Sequence, residues 1–433
     1  MNSYTEAIDY LYSCLPMFTR DGASAYKENL DRTVALCEAI GHPQDKFKTI
    51  HVAGTNGKGS SSHMLAAVFA SAGYKTGLYT SPHLVDFRER IRINGEWIDS
   101  QFIVDFINAQ QQLIEEIQPS FFEVTVALAF DYFAQQKVDI AIIEVGLGGR
   151  LDSTNIIQPE VSLITNIGMD HMNILGNTLE EIAVEKAGII KKNTPVIISE
   201  TQSQTAPVFQ AKAAHEHADI TFADQYYQIQ SIEHKGPTQQ ISVRNKAETK
   251  AYSLDLTGTY QAKNILGVLA TIDILREKGY TISENAIQQG LAHVQQLTGF
   301  QGRWQTLSTD PFIICDTGHN EDGIKEVVKN LETVSYTQLH VVLGAMKDKD
   351  LDHILPYLPK DAMYYFCSPA LPRAMEAEEL EMKASNYGLD GYIGGAVTDA
   401  LDKAIANYKS GDLIFVGGSN FVVAEVLANR SSH

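Results

Sequence analysis

The stretch at 51–64, HVAGTNGKGSSSHM, sets Lys58 among Gly54, Gly57 and Gly59, after an apolar run and before a helix-like one. Glycines let a backbone close around phosphate oxygens, a lysine adds a mobile positive charge, and the N–H groups opening a helix favour an anion. The spacing departs from the regular phosphate loop, G-x-x-x-x-G-K-[ST]. Val52 stands where the first glycine belongs, and Gly59 follows the lysine, which moves the hydroxyl to Ser60. The stretch reads as a phosphate loop with its own spacing. A plain glycine-rich strand–helix turn is the alternative.

Other residues weigh on that choice. Glu144 ends the apolar run DIAIIEVG, and a carboxylate at such a strand end suits a magnesium–nucleotide site. Taken alone it also fits a cap on the following GLGGRLDS turn. Ser81 in YTSPHL and His171 in NIGMDHMNILG follow other apolar runs, and each alone fits an ordinary turn hydrogen bond. Lys186 says more. In NTLEEIAVEKAGII, Thr178 and Glu181 have capping-box spacing, and Leu179, Ile182, Ala183, Ile189 and Ile190 fall on one helical stripe with Lys186 in its middle. A lysine directed inward is costly unless it snorkels, is paired or is chemically changed. Its functional readings are contact with phosphate or conversion to a carbamate. Farther on, Arg303 in GFQGRWQ, Asp316 and His319 in CDTGHNEDG, and Lys347, Asp348, Lys349 and Asp350 in GAMKDKD form a second set of polar loops.

The elements that must position these residues alternate in a βαβ rhythm. Strand-like runs at 47–54, 75–81, 138–146 and 160–168 are separated by helix-like runs at 60–73 and 125–136. Such alternation predicts a parallel sheet covered on both faces, with ligands at the carboxyl ends of its strands. The segment 225–256 has short β-like pieces and predicts a small antiparallel excursion. Past 297–302 the alternation restarts with 311–316, 339–345, 362–368 and 412–418, a second and smaller α/β domain. The expected division is therefore 1–297 and 298–433.

Whole-chain properties limit the partners. With 433 residues, two or three domains are expected. The net charge of −19, from 34 basic and 53 acidic residues, disfavours nucleic acid and anionic membranes as partners. Cys14, Cys37, Cys315 and Cys367 form no C-x-x-C pair and read as buried thiols of a reducing compartment. The first residues carry Glu6 and Asp9 where a signal peptide would be apolar, and no apolar run approaches about 18 residues. A cytoplasmic protein is expected.

Together these motifs resemble the folylpolyglutamate synthase and dihydrofolate synthase family, relatives of the Mur peptidoglycan ligases. HVAGTNGKGS is that family's form of the phosphate loop, and TSPHL, FRERI, IEVGLGGRLDSTN, ITNIGMDH, EKAGIIK and DTGHN follow in the family's order. The resemblance runs nearly end to end. It implies an α/β fold, with a P-loop-type parallel-sheet ATPase domain followed by a smaller Rossmann-like domain. It also implies an ATP-dependent amide ligase. ATP would phosphorylate a pteroate or folate carboxylate, and the amine of L-glutamate would displace the phosphate.

By the family's pattern, Gly54, Thr55, Asn56, Gly57, Lys58, Gly59 and Ser60 hold the nucleotide phosphates. Ser60, Ser81, Glu144 and His171 ligate magnesium, two ions being expected, and Lys186 is the carbamylated lysine. Asn264, Arg303 and Asp316 contact the nucleotide, and His319 joins Lys58 and Lys186 as a catalytic group. Ser120, Phe121, Phe122 and Glu123, with Leu151, Asp152 and Ser153, match the segments that hold the pterin, although adjacent aromatics also suit a core. The implied partners are ATP, L-glutamate and dihydropteroate or reduced folates, with no nucleic acid and no membrane, and the enzyme is expected to be a monomer.

This chain has Tyr260-Gln261 where the family commonly has His-Gln, Gln301-Gly302-Arg303 where P-G-R is usual, and Asp316-Thr317-Gly318-His319-Asn320 for D-G-A-H-N. None of these removes a charged or metal-binding residue. A muramyl-type ligase shares the mechanism but not the pterin-side segments. A P-loop kinase or switch NTPase leaves Lys186 and the second domain idle. A non-catalytic nucleotide-binding module predicts loss of Lys58, Glu144 or His171, and all three are present.

Overall fold

In the computed structural model, which describes residues 1–22 and 29–430, the apolar run before the glycine loop forms β1 (Lys48–Ala53). All but its first residue are buried, as a strand covered on both faces requires. It lies between β5 (Ile140–Glu144) and β6 (Val161–Ile164), both parallel to it. The sheet extends on one side through β2 (Thr76–Tyr79) to β3 (Ile91–Ile93) and β4 (Glu96–Trp97), and on the other through β7 (Val196–Ile198) to β8 (Ile220–Phe222). The order is β4-β3-β2-β5-β1-β6-β7-β8. β3 and β4 run antiparallel, so this edge departs from the all-parallel expectation. Helices cover both faces. One core gathers Phe121, Phe130 and Phe133 with Tyr79 and Ile143, and another gathers Ile182, Ala183 and Ile189 with Ile164 and Ile198.

The polar excursion forms a three-stranded antiparallel sheet of β9 (Gln228–Lys235), β10 (Thr238–Arg244) and β11 (Thr249–Leu254). The last sheet has six strands: β12 (Gln305–Thr309), β13 (Phe312–Cys315), β14 (Leu339–Gly344), β15 (Met363–Ser368), β16 (Gly391–Ala396) and β17 (Leu413–Gly417). Their order is β12-β13-β17-β14-β15-β16, parallel except for β12.

Two compact units result. The first holds Met1–Asp255 and Gln261–Phe300, and the second holds Leu256–Tyr260 and Gln301–His433. Five residues upstream of the main crossing thus belong with the second unit, because their partners lie there. Thr259 N donates to Asn330 Oδ1 (2.7 Å) and the Tyr260 hydroxyl to Asp316 Oδ2 (2.6 Å). The expected set of buried thiols needs one correction. Cys37, Cys315 and Cys367 are buried, but Cys14, the last residue of the Tyr4–Cys14 helix, is exposed. Among the described residues no helix is long and apolar enough to cross a membrane.

Candidate active site

β1 delivers the chain into the glycine loop, and the Lys58–Ser71 helix begins directly after it. Gly54 (φ 145°) and Gly57 (φ 85°) hold backbone that L-residues rarely adopt. A Cβ on Gly54 would lie 1.8 Å from Thr165 Oγ1, and one on Gly57 would lie 2.3 Å from Asn264 Oδ1. The loop is stitched to the segment after β6. Thr55 N donates to Asn166 O (2.9 Å), Asn56 N to Asn166 Oδ1 (2.9 Å), Gly168 N to Thr55 Oγ1 (2.9 Å) and Thr165 Oγ1 to Asn56 O (2.6 Å). The NIG segment is therefore a second wall of the loop, and the helix that follows turns its positive N-terminal end toward it, which favours an anion.

Lys58 and Lys186 meet at one oxygen. Lys58 Nζ donates to Gly54 O (3.0 Å) and Thr55 O (3.1 Å), and Lys186 Nζ donates to Gly54 O (2.9 Å). Lys186 is 4% exposed, on the inward stripe that its spacing predicts. Burial first, and then the charge of Lys58, bring its pKa down to about 7, with Asp170 and Asp152 acting the other way. The helix that carries it is shorter than its apolar pattern, ending at Ala187, so Ile189 and Ile190 are buried beyond it. Thr178 caps the helix by accepting from Glu181 N (3.2 Å). The Glu181 carboxylate takes the N–H of Asn177 (2.6 Å), one residue before the cap.

Glu144 closes β5 and is 4% exposed. Its Oε2 accepts from Ser81 N (3.3 Å), and both its oxygens stand 3.7 Å from the Cβ position of Gly59, over the start of the helix. Ser60 Oγ accepts from Gln261 Nε2 (3.1 Å), and Gln261 Oε1 accepts from Asn264 Nδ2 (2.8 Å). Asn264 thus reaches the phosphate loop through Gln261 and packs against Gly57. His171 sits at φ 51° before the short Met172–Leu175 helix, where Asp170 Oδ1 accepts its N–H (2.9 Å). No group of three or more His, Cys, Asp or Glu side chains that could hold a metal occurs among the described residues. One buried carboxylate with nearby hydroxyls fits magnesium, which commonly takes one or two carboxylates and completes its shell with substrate phosphates and water.

On the pterin side of the expectation, Ser120 and Glu123 form a reciprocal capping box on the Phe121–Gln135 helix. Phe121 is core, 3% exposed, packed on Tyr12 and Phe87 with the Arg90 guanidinium over its ring. Phe122 is partly buried, with its ring beside Gly146 and Tyr79. Asp152, 3% exposed, folds back on its own loop. Its Oδ2 accepts from Leu147 N (2.9 Å) and its Oδ1 from Thr154 N (2.9 Å) and the Thr154 hydroxyl. Leu151 is partly buried and Ser153 is buried at the start of the Ser153–Ile156 turn.

In the second unit, Asp316 follows β13 and is 2% exposed. It accepts from the Tyr260 hydroxyl, from Trp304 N (2.8 Å) and from Gly318 N (2.7 Å). Burial first, and then the charge of Asp316, push the Tyr260 hydroxyl well above the ordinary phenol range, with Arg303 acting the other way. His319 Nδ1 lies 2.9 Å from Thr317 O, which places the ring proton on Nδ1 because a carbonyl only accepts. The Asp348 carboxylate pairs with Arg373 at 3.0 Å. Gln261, Thr165, Asn166 and Asp170 escaped the sequence reading. Only the polar NIG and MDH flanks marked the last three.

Residues 52–272 match the Mur ligase middle domain, all but 256–260 of them in the first unit, and residues 302–420 match the Mur ligase glutamate ligase domain in the second, which makes the class that of a Mur-type ligase. The chain is 34% identical, over 92% of its length and 94% of the relative's, to the dihydrofolate synthase/folylpolyglutamate synthase of Bacillus subtilis. It is 33% identical, over 98% of both chains, to the folylpolyglutamate synthase of Lacticaseibacillus casei. The solved structure of E. coli FolC in complex with DHPP and ADP superposes with a TM-score of 0.86 at 28% identity, covering 100% of this chain and 98% of that one. The chain belongs to the dihydrofolate synthase/folylpolyglutamate synthase family.

Proposed function

We propose that the protein is an ATP-dependent ligase that joins L-glutamate to the carboxylate of dihydropteroate, of reduced folates, or of both, working as a monomer in the cytoplasm. A carboxylate oxygen attacks the γ-phosphorus of ATP, and ADP leaves. The glutamate amine then attacks the acyl carbon, loses a proton, and expels inorganic phosphate as the amide forms. The 54–60 loop and Lys58 hold the nucleotide phosphates, with Asn264 from the same unit and Arg303 and Asp316 from the second unit on the nucleoside side. Phe122 and the 151–153 turn border the pterin, with Phe121, Ser120 and Glu123 fixing the helix start behind it. His319 orients groups in the glutamate half of the reaction.

Glu144, Ser60, Ser81 and His171 would hold magnesium, two ions by the family's pattern, and the metal would neutralise phosphate charge. Lys186, an amine with a pKa of about 7, is neutral often enough to add to CO2, losing a proton and forming a carbamate. The carbamate would replace a repulsive neighbour of Lys58 with an attractive one.

The observation that carries this reading is the convergence of Lys58 and Lys186 on Gly54 O at the base of a glycine loop, in a two-domain Mur-type chain. The test is phosphate release from Mg-ATP with L-glutamate, comparing dihydropteroate with tetrahydrofolate. Release with dihydropteroate alone assigns dihydrofolate synthesis, and release with both assigns a bifunctional enzyme. Release with neither, from folded and nucleotide-binding protein, overturns the reading.

A further inference from the structure

His51 opens the glycine-loop motif, yet nothing so far uses it. It lies in the middle of β1, opposite Ile143 of β5, and is fully buried. Its Nε2 is 2.9 Å from Thr154 Oγ1, and its Nδ1 is buried with no partner. Burial, aided by Lys191, holds its pKa down to about 3, so the ring is neutral and carries one proton. The Thr154 hydroxyl donates to Asp152 Oδ1, so its oxygen must accept from His51. The proton is therefore on Nε2, and three residues form a directed chain from His51 through Thr154 to Asp152. An apolar side chain would fill this strand position without burying an unpartnered nitrogen.

The loop at the end of this chain is pinned from the other side by the helix that carries Lys186. Arg150 N donates to Glu185 O (2.7 Å), and Asn155 Nδ2 donates to Arg150 O (3.0 Å) and Gly188 O (3.1 Å). Asp152 sits between the two anchorages, and its charge is felt at Lys186.

We propose that His51 is a positioning residue for the acceptor side of the reaction: through Thr154 it fixes the Asp152 carboxylate and with it the 146–153 loop. The proposal rests on the reading above that this loop borders the pterin. Steady-state kinetics on His51→Leu, His51→Gln, Thr154→Val and Thr154→Ser provide the test, alongside imidazole 15N spectra of the free wild-type protein. His51→Leu and Thr154→Val should each raise KM for dihydropteroate about tenfold, the size of one lost hydrogen bond, with KM for ATP unchanged. The double variant should be no worse than either. His51→Gln and Thr154→Ser, which keep a donor at each place, should recover most of the loss.

Variants that melt earlier but keep the wild-type acceptor KM would make His51 merely structural and overturn the proposal. A single soluble variant of the four suffices for that comparison. An Nδ1–H tautomer in the spectra would overturn the relay without reference to any substrate. Absence of wild-type turnover with either acceptor would instead reject the ligase reading.

Discussion

Replacing Gly57 with alanine tests the phosphate loop at its narrowest point. The residue sits at φ 85°, and an added Cβ would come 2.3 Å from Asn264 Oδ1 and 3.1 Å from Asn264 Cγ. Holding alanine in left-handed backbone costs about 1–2 kcal/mol. The Asn264 amide must also turn away, which breaks its hydrogen bond to Gln261 Oε1, worth about 1 kcal/mol. The combined cost, roughly 2–3 kcal/mol, falls on the liganded loop, since an empty loop is free to relax. By the tenfold-per-1.4 kcal/mol rule this is about a 30- to 150-fold loss of nucleotide affinity. Calorimetric titration with ADP and magnesium reads it directly. Asn264→Ala in the same background should return the steric share and leave the backbone strain, which a double-mutant cycle separates. An affinity for Gly57→Ala within twofold of wild type would refute the argument that this backbone turn cradles the nucleotide.

Lys186 gives a pH signature. Its folded pKa of about 7 lies below the ordinary lysine value, so between pH 7 and about 10 the unfolded chain binds more protons. In CO2-free buffer the stability of wild type relative to Lys186→Met should therefore rise through that window, by on the order of 4 kcal/mol, and stay flat below it. Denaturant midpoints that show no such rise would place the amine in water. Among the thiols, only Cys14 should react rapidly with Ellman's reagent in the native state, and all four should react in denaturant. Fast labelling of Cys37, Cys315 or Cys367 would contradict their burial.

The sequence was most informative where chemistry and strand endings coincide. β1, β5 and β6 are largely apolar strands that lead into Gly54, Glu144 and the NIG segment, so both the sheet and those strand ends could be read directly. Lys186 was legible because an ionic residue on an apolar stripe is rare for energetic reasons. β3 and β4, at one side of the first sheet, were not read, although Asn94-Gly95 between them is a hairpin signal. β16, with the sequence GYIGGA, escaped because an exposed edge needs no alternating pattern. Side-chain networks left no trace at all. Ser60 and Gln261 lie 201 positions apart, and His51 and Thr154 lie 103 apart, so no local periodicity registers either pair. Asp316 was legible as a carboxylate at a strand end and Asp152 only through the family resemblance, and neither as a group already engaged by backbone N–H groups.

Leu256–Tyr260 makes the second unit impossible to excise as one continuous piece. A fragment beginning at Gln301 would leave Asn330 Oδ1 without the Thr259 N–H, Asp316 without the Tyr260 hydroxyl, and Trp304 Cβ without Gly258 beside it. During synthesis these five residues leave the ribosome before the rest of their unit, so the second unit is complete only once it takes up a segment made earlier. The same geometry governs recombination between relatives. A transplanted second domain would have to bring its own pentapeptide, placed far upstream in the chain that receives it.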